Sequence, residues 1–149
     1  MLTSGDDGPA AGEREVGVEE HASGTFTVSA WDESTCDELD GGGKLTRARV
    51  AFGFAGDLAG EGTWEAVMCY RPDGTAEFAG FQRTSGTLAG RKGTFVVRAD
   101  GTFTGGEART SWQVVDGSAT AELTGLRGSG SAVSTGGHGG TFTLGYELG

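Results

Sequence analysis

With 149 residues, 36% of them hydrophobic and only two prolines, the chain suits one domain with a hydrophobic core, is too short for two ordinary ones, and falls outside the fibrous and wholly disordered classes. A net charge of −10 without a basic cluster excludes nucleic acid and an anionic membrane surface as partners. No stretch approaches the roughly 18 apolar residues of a membrane helix and none resembles a signal h-region, so a soluble, cytoplasmic protein is expected, with Cys36 and Cys69 as reduced thiols.

Residues 1–22 hold six acids, Asp6, Asp7, Glu13, Glu15, Glu19 and Glu20, against Arg14 and show no hydrophobic periodicity, which reads as a disordered acidic leader. Order is expected from Ser23. Alternation begins in Gly24 to Trp31, with Phe26 and Val28 on one face, and the acids between Asp32 and Asp40 followed by Gly41-Gly42-Gly43 read as a long connection. A second strand over Leu45 to Ala55 sets Ala48, Val50, Phe52 and Phe54 opposite Arg47 and Arg49. After a turn at Gly56 to Gly60, a third strand from Gly62 to Arg71 carries Trp64, Ala66, Met68 and Tyr70 on one face and Glu65, Val67 and Cys69 on the other. Pro72-Asp73-Gly74 is the strongest hairpin signal and leads into a fourth strand, Thr75 to Thr84.

A fifth strand, Thr94 to Ala99, is expected to turn at Asp100-Gly101 into a sixth, Thr102 to Val115, with a bulge at Gly105-Gly106. A seventh covers Ala119 to Leu123 and an eighth Thr141 to Leu148, and no helix is expected. Eight strands with one bulky apolar face each can bury those faces in a closed antiparallel barrel, which also removes exposed edges; a two-sheet sandwich is the competing architecture. The expected fold is therefore an all-β, closed eight-stranded antiparallel barrel over residues 23–149, wide enough to be filled by side chains or to hold one small ligand.

Several stretches carry a resemblance: Gly24-Thr25-Phe26 running to Trp31-Asp32-Glu33, Lys44 to Ala48, Gly60 to Thr63, Met68 to Gly74, Ser85 to Leu88 with Gly90, and Leu126-Arg127-Gly128 leading to Gly137-His138-Gly139 and Tyr146-Glu147-Leu148. In order and number these are similar to a bacterial family of uncharacterised domains with the allene oxide cyclase type of β-barrel. The resemblance implies an eight-stranded barrel, often dimeric, in a superfamily whose plant members cyclise an unstable epoxide without a cofactor. The chain departs from that pattern at Phe52, where a lysine or other polar residue is common, and at Gln82, where a glutamate is, which implies a less charged interior.

The inward face assigned by alternation holds Trp64, Met68, Tyr70, Phe78, Trp112, Phe142 and Tyr146, with Phe52 joining them, as a candidate substrate-binding wall. Small partners on the same faces, Ala48, Ala66, Ala76 and Gly80, either leave room or let the large residues interdigitate. Gln82, Tyr70 and Tyr146 form a candidate polar trio that can hydrogen-bond a substrate carbonyl at developing negative charge. Glu65 is the candidate acid or base if it faces inward; parity places it outside, paired with Arg47 or Arg49, and a bulge in its strand would reverse this. His138, in Gly136 to Gly140, is a candidate acid, base or lid residue at a barrel mouth. No metal is expected, since the other histidine, His21, lies in the leader and the acids Asp32, Glu33, Asp37, Glu38 and Asp40 lack EF-hand spacing and read as a solvated loop. Phosphate-loop and nucleophile-elbow motifs are absent.

The expected function is a cofactor-independent cyclase or isomerase acting on an apolar, natural-product-like small molecule in the lumen. A non-catalytic carrier or sensor of a hydrophobic ligand is the alternative, and a solidly packed interaction domain is the third. A homodimer accompanies the resemblance.

Overall fold

Residues 19–148 are described by a computed structural model. Eight antiparallel strands follow one another around a closed barrel: β1 (Glu20–Glu38), β2 (Lys44–Gly56), β3 (Leu58–Tyr70), β4 (Ala76–Leu88), β5 (Arg91–Thr104), β6 (Glu107–Val114), β7 (Leu126–Thr135) and β8 (Gly139–Leu148). Pairing of Glu20 to Thr27 with Gly139 to Tyr146 closes the ring, so the sandwich alternative is excluded. The period-two pattern has its expected consequence on β2 and β3, where Ala48, Val50, Phe54, Trp64, Ala66 and Met68 are buried while Arg47, Arg49, Glu65 and Cys69 face out. On the outer wall Val67 and Phe81 are exposed apolar exceptions.

Four local expectations are corrected. The leader boundary moves, because β1 opens at Glu20 and buries Ala22; the rest of the expected leader, residues 1–18, lies outside the described residues. The acids read as a connection belong to β1, which runs on to Glu38. Their partners explain it: Asp32 lies opposite Arg49 and Glu38 opposite Lys44, and opposite charges across a ladder stabilise a pairing that acidic residues alone disfavour.

The third correction moves a hairpin. Asp100 and Gly101 are inside β5, paired with Ser111 and Thr110, and the turn falls at Gly105-Gly106 between Thr104 and Glu107. Both turn glycines have positive φ (62° and 78°), as a two-residue type I′ turn requires, whereas Gly101 is glycine because a Cβ there would meet the Arg109 carbonyl oxygen at 1.9 Å.

The fourth concerns Ala119 to Leu123, which is not a strand. Pairing of β5 with β6 stops at Val97, leaving the first residues of β5 with a bare edge. The β6–β7 connection covers it with side chains: Ser118 Oγ accepts from Val96 N–H (3.0 Å), Thr120 Oγ1 from Thr94 N–H (3.1 Å) and Glu122 Oε1 from Lys92 N–H (2.8 Å). A single 3₁₀ turn, Ala121–Leu123, then drops Leu123 fully into the barrel end. The seventh strand is instead Leu126–Thr135, whose small residues Gly128, Ser129, Gly130 and Ser131 give little apolar alternation to read.

Candidate functional site

The two ends of the barrel are filled differently. At the end holding the β2–β3 and β4–β5 turns, Leu58, Leu88, Phe95, Leu123, Leu126 and Leu144 are each at most 1% exposed and form a solid plug. Toward the opposite end, that of the β1–β2, β3–β4, β5–β6 and β7–β8 turns, the lumen holds a cavity of about 270 Å³. Its wall includes the expected Phe52, Trp64, Met68, Tyr70, Phe78 and Trp112, together with Gln82. Trp31, Phe103, Gly74, Gly106 and Gly137 line it as well and mark its mouth.

The rings are grouped in two sets, one on adjacent strands and one that bridges the lumen beneath the cavity. Trp64 meets Phe78 edge to face with ring centroids 5.2 Å apart, and its indole N–H donates to the Ala99 carbonyl oxygen at 3.2 Å. Phe142 and Trp112 stack at 5.5 Å, and Phe54 meets both edge to face. Between the rings and the mouth the wall carries alanines, Ala76, Ala99, Ala108 and Ala132, too short to fill the space.

Gln82 is 3% exposed and projects from mid-β4 between Trp64 and Val97. Its Nε2 donates to the fully buried Thr84 Oγ1 at 3.1 Å, which is the amide's one hydrogen bond among the described residues. Nε2 and Cδ lie over Gly62, where a Cβ would approach them to 3.2 and 3.3 Å, so the missing side chain on β3 makes room for the amide.

Nearer the mouth stands Glu33, an acid whose surroundings in sequence suggest a solvated loop and which lies instead in β1. Glu33 Oε2 accepts hydrogen bonds from Thr46 Oγ1 and Tyr70 OH, both 2.6 Å, and Oε1 accepts from the Trp31 indole at 2.9 Å. Partial burial raises the Glu33 pKa, but the bonds from Thr46, Tyr70 and Trp31 and the nearby Lys44 charge outweigh it and hold the carboxyl below its usual value. Tyr70 moves the other way: burial first, then the bond to Glu33 and its charge, push the phenol far above its ordinary range, so it stays an O–H donor. Lys44 Nζ lies 5.2 Å from the Tyr70 ring centroid.

A bulge turns Glu33 inward. Val28 faces Phe52 and Ala30 faces Ala51, so Ser29 is an extra residue in β1; before it Phe26 and Val28 line the lumen, after it Trp31 does, and Glu33, on the same face as Trp31, reaches Thr46 and Tyr70 at the rim. The one sequence signal was the acid two places after a tryptophan, and it points inward only once the slip is known.

Four expected site residues stand elsewhere. Tyr146 is buried, yet it sits toward the plugged end, opposite Gly128 and Glu20, and does not line the cavity. Burial and then the Glu20 and Asp57 charges raise its phenol. Phe142 lies behind the cavity as the ring on which Trp112 stacks. Glu65 is on the outer wall in an ion pair with Arg49, because β3 carries no bulge to reverse its parity. The exposed His138 lies in the β7–β8 turn; its carbonyl accepts from Val28 N–H at 2.9 Å, while its side chain does not line the cavity. Among the described residues no His, Cys, Asp and Glu cluster suits a metal ion, and no helix is long and apolar enough to cross a membrane.

These features define a closed antiparallel barrel whose aromatic lumen is plugged at one end and hollow toward the other. The chain belongs to DUF3224, a family described as protein of unknown function, which matches residues 22–146. It is similar to a protein with unknown function from that family in Shewanella oneidensis MR-1, whose crystal structure superposes with a TM-score of 0.76 at 25% identity over 89% of this chain and 98% of that one. No curated protein matches.

Proposed function

We propose that the barrel binds one apolar small molecule in its lumen, and that retention of such a ligand is its primary activity. The observation that carries this is the cavity itself: about 270 Å³ stays open in a barrel whose other end is packed solid. An apolar cavity of roughly 150 Å³ already takes benzene, so this one suits a molecule of about two fused rings. Trp64 and Trp112 supply the apolar wall.

Proton transfer finds little support in the rim. Glu33, stabilised as the anion, is a weak base, and Tyr70, held as a donor to it, is a weak acid. Cofactor-independent cyclisation or isomerisation is the second reading, supported by the Gln82 amide on the wall and by the sequence resemblance to allene oxide cyclase-type barrels. It would act by folding the substrate and by one neutral donor.

The test fills the space. Ala108→Phe, on the half-buried upper wall, is expected to weaken binding of a bicyclic probe such as indane by more than tenfold in calorimetric titration, with the melting temperature held or raised because the ring fills existing space. Unchanged affinity in a folded variant would place the ligand outside the lumen. Turnover of any ligand that copurifies with the protein, followed by mass spectrometry, separates the two readings.

A further inference from the structure

The polar content of the lumen narrows the ligand's chemistry. We infer that it is a neutral molecule with one hydroxyl or carbonyl on an apolar frame, and that it enters polar end first to meet the Gln82 amide. This rests on the lumen-binding reading above.

An amide offers two N–H donors and a carbonyl with two lone pairs, and buried polar groups are almost always satisfied. Gln82 is 97% removed from solvent in the sense that only 3% of it is exposed, and among the described residues only Thr84 meets its amide. Of the other polar lining groups, the Trp64 indole donates to the Ala99 carbonyl, the Tyr70 hydroxyl to Glu33 and the Ser134 hydroxyl to the Gly139 carbonyl, and Thr110, without a side-chain partner among the described residues, is partly exposed rather than buried. Buried spare hydrogen-bonding capacity on the wall therefore collects at Gln82, in the middle of β4. A hydroxyl can both donate to its carbonyl and accept from its N–H, and a ketone can accept.

Charge is disfavoured at the same point. No residue lining the cavity carries a charged side chain, so a carboxylate or ammonium pushed to that depth loses its hydration without an ionic partner. At the rim, Glu33 is occupied by three donors, and Lys44 lies over Tyr70 beside that carboxylate. Neither Glu33 nor the exposed Lys44 lines the cavity, so neither charge meets a ligand head seated at Gln82.

Calorimetric titration of the full chain at pH 8 with indane, 2-indanol, 2-indanone and indane-2-carboxylate tests this on one matched frame. The alcohol and ketone are expected to bind about five- to tenfold tighter than indane. The carboxylate should bind at least tenfold more weakly than the alcohol. In Gln82→Leu the alcohol's advantage over indane disappears. In the wild type, independently of that variant's folding, 2-indanol should shift the Gln82 side-chain amide signals in a nitrogen–proton correlation spectrum while indane leaves them in place. Equal affinity for indane and 2-indanol, or a carboxylate as tight as the alcohol, overturns the inference and leaves the lumen reading standing. Failure of all four to bind overturns both.

Discussion

The plugged and hollow ends of the barrel are made by the same strands and the same alternation, yet one is core and the other is a cavity. At the plugged end the inward residues are mostly branched aliphatics of similar size, and Leu123 arrives from outside the sheet to fill the axis. At the hollow end the rings of Phe54, Trp112 and Phe142 close the lumen from below, and alanines on the wall between them and the mouth leave the space above unfilled. A barrel of eight strands stands at the size where either result is possible, and the choice lies in matched or mismatched side-chain volumes.

Removing the plug should have the largest effect. Leu123→Ala leaves a hole at a fully buried site and is expected to cost about 2–5 kcal/mol, measured by urea unfolding. The equivalent truncation at the mouth, Phe103→Ala, at a side chain already 38% exposed, should cost under about 1 kcal/mol. Equal losses at the two sites would erase the contrast between the ends.

A smaller effect is expected from the rim. Glu33→Gln keeps the shape but removes the charge that Thr46, Tyr70 and Trp31 share, and at this partly exposed site the loss should be about 1 kcal/mol. The pH dependence has a definite sign. A carboxyl held below its unfolded value, about 4.3, contributes stability above that pH and loses it as pH falls through the lower folded value. The stability gap between wild type and Glu33→Gln should therefore narrow on acidification from pH 6 to pH 3, since the other carboxyls titrate alike in both. A gap that stays constant over that range would show that the Glu33 charge is not held as described.

The smallest effect belongs to the outer wall. Glu65→Ala breaks an exposed ion pair with Arg49 and should change stability by no more than about 0.5 kcal/mol and leave indane affinity alone. A loss of binding in this variant would bring Glu65 back into the site.

Much of the hollow end was legible in the sequence. Trp64, Met68, Tyr70 and Gln82 on β3 and β4, Phe52 on β2 and Trp112 on β6 line the cavity because alternation on an unbroken strand assigns faces locally. Glu33 was not legible, since the single extra residue at Ser29 reverses every face after it and is defined only by what β1 pairs with. Tyr146 shows a second gap. Its inward direction followed from alternation, but its depth along the barrel axis depends on how far β8 is staggered against β1 and β7, which no local period records.

The amino-acid order by itself determined an all-β chain of short turns, the apolar faces of seven of the eight strands, and an aromatic inner wall, because a two-residue period and a left-handed turn are properties of neighbouring residues. The tertiary structure decided where acids pair as strand, which turn caps which hairpin, which polar residues share the mouth, and which end is solid. Those depend on register between strands far apart in the chain, and a shift of one residue in that register exchanges inside for outside.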